Sequence, residues 1–196
     1  MKAQNRTLVQ SSAQQRSSRR QQRGNGLLYA MLGSALLALG SYYAYGIYSD
    51  KAAATAVQSD IVNAQDTVQS TQRIFGINGS YAGLTLTNLR DGNAVPARMR
   101  VASAVQNGFN QSVTTSVSSS SGSLNDLLTF GWPVSKASCL EFAVAASGFS
   151  RKVLINTTSV KALDGTFAPT TAATECAGSA ATFPIVYFTI GISAGS

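Results

Sequence analysis

From Leu27 to Tyr48 the chain reads LLYAMLGSALLALGSYYAYGIY, with no charged residue and no proline. At about 1.5 Å per residue, a helix of this length would rise roughly 33 Å, enough to cross a bilayer core. Behind this run the pattern changes from apolar on every side to apolar on one. Between Asp50 and Phe75 there is no glycine or proline, and Ala54, Val57, Ile61, Ala64, Val68 and Phe75 recur at spacings of three, four or seven. Such a stripe predicts a helix with one buried face. Ser59, Asp60, Asn63, Asp66 and Gln72 fill much of the remaining surface, and Gly76 supplies a stop signal. The simplest reading is one continuous helix from about Leu27 to Ile74.

Within the apolar run, Ala30, Ser34 and Ala38 are spaced by four, as are Gly40 and Ala44. Rows of small residues let helix backbones approach closely in apolar surroundings. Tyr42, Tyr43, Tyr45 and Tyr48 crowd its C-terminal end, as expected at a membrane–water boundary.

After Gly76 the segments shorten. Asn78-Gly79, Asp91-Gly92-Asn93 and Pro96 punctuate a connection that contains Tyr81-Ala82-Gly83-Leu84 and the alternating Leu84, Leu86 and Leu89. Strands are expected near Arg98–Ala104, Gln111–Val117 and Leu127–Trp132, with the serine tract Ser116–Ser123 as a flexible turn. Ser138 and Glu141 have capping-box spacing ahead of a short helix ending near Gly148. Arg151–Val160 and Ala181–Ile192 are the clearest strands, and Pro184 suggests an irregular or edge-exposed start for the last one. The fold class is therefore α+β: one long N-terminal helix packed on an antiparallel sheet.

The formal charge of +7 on 196 residues is uneven. Residues 1–24 hold Lys2, Arg6, Arg16, Arg19, Arg20 and Arg23 and no acid, which leaves nine bases against eight acids beyond them. The basic arm reads as a topogenic signal that keeps its side of a membrane cytoplasmic. The nearly neutral remainder argues against a nucleic-acid partner. Gln, Ser and Arg dominate residues 1–23, which cannot bury a core. The apolar run is too long for an ordinary secretory signal, and no Ala-x-Ala site follows it. With the basic arm inside, Cys139 and Cys176 fall on the outer side, where an oxidising compartment favours a disulfide over two buried thiols.

Histidine is absent, which removes the commonest general base and metal ligand. A serine nucleophile would need a lysine base, and Lys136 beside Ser135 and Ser138 is the only close arrangement. It stands at a helix start, where a cap and a solvated lysine are the simpler reading. Gly24-Asn25-Gly26 lacks the strand and lysine of a phosphate loop, and the acids lack calcium-loop spacing. No enzyme, cofactor or metal is expected.

In this order, the features resemble the type IV prepilins of the type IVb class, in particular the PilS-like major pilins of conjugative thin pili. The resemblance rests on the basic leader ending in glycine (Arg19-Arg20-Gln21-Gln22-Arg23-Gly24), the apolar half-helix and its amphipathic continuation. Tyr81-Ala82-Gly83-Leu84, Gly92, Pro96 and the two cysteines add to it. It implies the type IV pilin fold, with a leader at 1–24, an apolar half-helix at 25–50 and a globular domain at 51–196 whose D-region is bounded by residues 139 and 176.

It also implies a prepilin peptidase that cuts between Gly24 and Asn25, or alternatively between Gly26 and Leu27, with methylation of the new N-terminus. The subunit would wait in the inner membrane, leader cytoplasmic and C-terminal domain periplasmic. An assembly ATPase and platform protein would then build it into a homo-oligomeric helical filament for cell contact, conjugation or adhesion. The filament core would be packed through Leu28, Tyr29, Ala30, Ser34, Ala38 and Gly40. One departure stands out: the family's fifth mature residue is glutamate, and here the place holds Tyr29 or Met31. The Tyr29 hydroxyl could accept a hydrogen bond from a neighbouring N-terminal amine in its stead. The alternatives are a minor pilin or pseudopilin of a secretion system, and an uncleaved bitopic membrane protein with an outward-facing binding domain.

Overall fold

The computed structural model describes residues 54–192. The leader, both cleavage positions, the apolar run with its small-residue rows, and Tyr29 lie outside the described residues, as do residues 193–196. The amphipathic helix is present as α1, residues 54–75, followed by a 3-10 turn at Gly76–Asn78. The chain then turns at Gly79, whose φ of 68° closes the helix end in the left-handed region that glycine enters without steric cost.

The connection that follows is more ordered than its turn residues suggest. Leu86–Asp91 is a short helix, α2, rather than an alternating segment. Thr85 caps it: its hydroxyl accepts from the Asn88 N–H while the Asn88 side chain accepts from the Thr85 N–H. The strand expected at Arg98–Ala104 is instead a 3-10 turn, Ala97–Met99, and a miniature hairpin of β1 (Arg100–Val101) and β2 (Ala104–Val105).

Five strands form one antiparallel sheet in the order β3-β4-β7-β5-β6. They are β3 Thr114–Ser120, β4 Ser123–Pro133, β5 Lys152–Ile155, β6 Thr158–Lys161 and β7 Ile185–Gly191. Three expectations are corrected here. The serine tract is mostly strand, because Ser116, Val117 and Ser118 pair with Thr129, Leu128 and Leu127. The segment Arg151–Val160 is a hairpin, not one strand, since Asn156 takes φ 53° and turns the chain between β5 and β6. The strand behind Pro184 is not at an edge: β7 lies between β4 and β5, and the Pro184 carbonyl accepts from the Val134 N–H at 3.0 Å.

Period-two alternation decides which sheet face is buried. Leu128, Phe130 and Trp132 of β4 pair with Ile190, Phe188 and Val186 of β7, and Val153 and Ile155 of β5 continue the layer. Against it pack α1, through Val57, Ala64 and Val68, and α3 (Cys139–Phe149), through Phe142, Ala143 and Ala146. Phe188 gathers four aromatic neighbours, Phe130, Trp132, Phe142 and Phe149, with ring centroids 5.4–6.2 Å apart. Such pairs add about 0.5–1.5 kcal/mol each beyond the area they bury.

A helix that the sequence did not announce, α4 (Pro169–Gly178), covers α3 and carries Cys176. The capping box at Ser138 and Glu141 does not form. Ser138 makes no side-chain cap bond, whereas the Ser135 hydroxyl accepts the Ser138 N–H and so starts the segment one turn earlier.

Candidate functional site

The seam between α1 and the rest of the domain is polar where the sequence suggested solvent. Asp60 and Asn63 are buried, and Thr67 and Thr71 continue the same row one and two turns on. Asp60 Oδ1 accepts from the Gly108 N–H at 2.6 Å, and Oδ2 accepts from Trp132 Nε1 at 3.2 Å. Burial pushes the Asp60 carboxyl above the usual range, against the opposing pull of the bonds from Gly108, Trp132 and Asn63. Arg98 donates to the Asn63 side chain and reaches Asp66 at 3.6 Å, tying the loop before β1 to the same helix. Periodicity alone could not find this row. Asp60 and Asn63 border the apolar stripe, and only the tertiary donors at residues 108, 132 and 98 make their burial tolerable.

The far end of α1 is held by Tyr81. Its N–H donates to the Asn125 carbonyl at 2.7 Å and its hydroxyl to the Gly191 carbonyl at 3.1 Å. Burial raises its phenol to about 12. Gln72 of α1 donates to the same Gly191 carbonyl at 3.1 Å, so helix, connection and last strand meet at one oxygen. Gly92 has its own reason to be small: a Cβ there would stand 2.9 Å from the Phe75 ring.

Cys139 and Cys176 form the expected disulfide, with Cα atoms 5.7 Å apart, and it joins α3 to α4. The Ser135, Lys136 and Ser138 cluster beside it is structural in its bonding. Ser135 Oγ donates to Ser138 Oγ at 2.9 Å, while Lys136 Nζ donates to the Ser179 carbonyl at 3.1 Å and so ties the start of α3 to the end of α4. The Gln58 amide of α1 donates to Glu141 of α3 at 2.5 Å. A cleft of about 370 Å³ opens between α1 and the loop before β1, with Asp66, Ser70, Arg73 and Arg100 on its walls. Arg100 is already held there by the Val95 carbonyl and the Asn93 side chain. Among the described residues no cluster of His, Cys, Asp and Glu is placed to hold a metal ion. Nor is any helix among them long and apolar enough to cross a membrane.

A long helix whose buried face meets one side of a five-stranded antiparallel sheet, with a disulfide-bounded C-terminal region, defines a structural subunit of the type IV pilin class. The chain belongs to the PilS family, whose N-terminal family profile matches residues 45–190. Its fold is similar to that in the crystal structure of a type IVb pilin from Salmonella typhi, with a TM-score of 0.50 and 15% sequence identity. That similarity covers 68% of this chain and 97% of the other. Comparison with curated proteins returned no match.

Proposed function

We propose that the chain is a prepilin that is cut on the cytoplasmic side after Gly24, or after Gly26, and then held in the inner membrane by Leu27–Tyr48. From there an assembly ATPase and platform protein polymerise it into an extracellular filament for cell contact, conjugation or adhesion. The observation that carries this reading is the PilS match beginning at residue 45, inside the apolar run, and continuing through α1 and the sheet to residue 190. A helix apolar on all sides needs lipid or a bundle of its own kind, and a filament core supplies the second after the membrane supplies the first. Leu28, Tyr29, Ala30, Ser34, Ala38 and Gly40 are the contacts assigned to that core, and the place of the usual glutamate falls to Tyr29 after a cut at Gly24 or to Met31 after a cut at Gly26.

N-terminal sequencing and intact mass of the mature protein test the proposal. Loss of residues 1–24 or 1–26, with filaments that disappear on deletion of the gene, is the expected result. A retained basic arm would identify an uncleaved membrane-anchored protein instead. Tyr29→Phe tests the substitute hydrogen bond separately: normal filament yield from that variant removes the role assigned to the hydroxyl.

A further inference from the structure

The charges on α1 and on the connection from 76 to 105 do not cancel. The acids there are Asp60, Asp66 and Asp91, and the bases are Arg73, Arg90, Arg98 and Arg100. Asp91 is taken by Arg90 at 2.9 Å and Asp66 by Arg98 at 3.6 Å. Asp60 is spent in the buried seam, on Gly108 and Trp132. Arg73 and Arg100 are left without a carboxylate among the described residues, and both line the same cleft of about 370 Å³. That volume lies in the range of small-ligand sites, about 300–1,000 Å³.

The two cations come from different walls. Arg73 is exposed on α1, on the helical face it shares with Asp66, Gln69 and Ser70 at spacings of three and four. Arg100, half-buried at the start of β1, is fixed in place. Its Nε and Nη2 donate to the Val95 carbonyl at 2.9 and 2.5 Å, and its Nη1 donates to Asn93 Oδ1 at 2.6 Å. These acceptors are neutral, so they orient the guanidinium without cancelling its charge, and the three bonds leave part of its five-donor fork free. Asn93 spends its carbonyl on Arg100, which leaves the NH2 end of that amide to donate, along with the Ser70 hydroxyl and the Gln69 amide on the walls. Ala94 and Val95, both buried, line the same cleft and give it a dry side.

A carboxylate is satisfied by one guanidinium fork, its two oxygens taking two parallel N–H bonds. Two guanidinium groups on separate walls instead match a tetrahedral group that carries oxygens on several sides and about −1.5 to −2 charge at pH 7. We propose that the cleft between Arg73 and Arg100 is a binding site for a phosphate group, either a phosphate monoester or the free ion. Arg100 is the preset anchor, and Arg73 supplies the second cation from the helix. The only acid on the walls, Asp66, is countered by Arg98 and does not cancel this pair. The site belongs to the single subunit and does not depend on the filament reading.

The test titrates the full chain, purified in a non-ionic detergent, with inorganic phosphate, glucose 6-phosphate and acetate in an isothermal calorimeter. Both phosphates should bind saturably, and acetate should not bind over the same concentration range. Arg73→Gln should weaken phosphate binding by at least about tenfold, the loss of one charge-assisted contact. It should leave the melting temperature without phosphate unchanged, because Arg73 is exposed and bonds to nothing else among the described residues. Arg73→Lys keeps the charge without the fork and should recover part of the affinity. Tighter binding of the ester identifies a phosphorylated saccharide as the source of the group, and tighter binding of inorganic phosphate identifies the free ion; either result supports the site. No saturable heat with either phosphate, an unchanged affinity in Arg73→Gln, or acetate binding as tightly as phosphate would overturn the proposal. The titration reads the subunit alone, so none of these results bears on filament assembly.

Discussion

Asp60 and Trp132 stand 72 positions apart and share a hydrogen bond, the indole Nε1 donating to Asp60 Oδ2 at 3.2 Å in the buried seam between α1 and β4. The carboxylate has a second donor in the Gly108 N–H, but burial still lifts its proton affinity above that of a free aspartate. For an acid this sign means that ionisation opposes folding. The group is neutral in both states below the unfolded value of 3.8, and the penalty develops as pH rises above that value and is complete once pH has passed the higher folded value. Asp60→Asn removes the titration but leaves one of the two donors facing an amide, at a cost of about 1–3 kcal/mol. The stability gap between wild type and Asp60→Asn should therefore be largest near pH 3.5 and narrow towards pH 7 in denaturant titrations. A gap that widened with pH would show the ion to be net stabilised.

Gly108 should be nearly immutable for a different reason. A Cβ at this position would sit 2.9 Å from Asp60 Oδ1 and 3.3 Å from the Ala56 carbonyl. The first of these atoms belongs to a carboxylate held by one donor on each oxygen, and the second is helix backbone, so neither can give way cheaply. Gly108→Ala should cost about 1–3 kcal/mol by forcing the loop off α1. Thermal unfolding measures it, and combining it with Asp60→Asn should give less than the sum of the two.

Cys139→Ser should lower the stability of the globular domain by about 3–4 kcal/mol in the chain-entropy account of a loop of this size. The sequence separation of the bridge is 37. Insertion into the membrane, which the proposed function assigns to Leu27–Tyr48, should be unaffected. Fractionation followed by protease sensitivity of the globular domain separates the two effects. Two free thiols in protein from the native envelope would contradict the bridge.

Asn156 holds the β5–β6 hairpin in two ways. Its φ of 53° is tolerated by asparagine better than by most residues, and its side-chain oxygen accepts the Ile185 N–H at 3.1 Å. Asn156→Ala should cost about 1–3 kcal/mol, chiefly because the Ile185 donor loses its partner. Asn156→Gly relieves the strain and keeps that loss, so it should recover part of the deficit.

The amphipathic helix, the strands β4 and β7 and the cysteine pair were legible because each has a strong local signal or a compartment argument behind it. Asn156 was not read as a turn, because RKVLINTTSV is β-branched on both sides of it and only the left-handed backbone breaks the run. The helix α4 was missed because PTTAATECAG has little apolar periodicity; its packing rests on Ala172 and Cys176. The serine strand β3 lacked hydrophobic alternation, and its pairing comes from β4. Asp60 and Asn63 were placed on the wrong face because charge and polarity argue for solvent until a long-range donor is known.

The buried polar row on α1 also sets how the domain answers a pull along that helix. An apolar seam would let the helix creep, since one aliphatic contact substitutes for the next. A slide of one turn, about 5.4 Å, would strip Asp60 of both donors and carry Asn63 away from Arg98. The seam is thus keyed, and a tensile load on the helix is passed to the sheet at a single register.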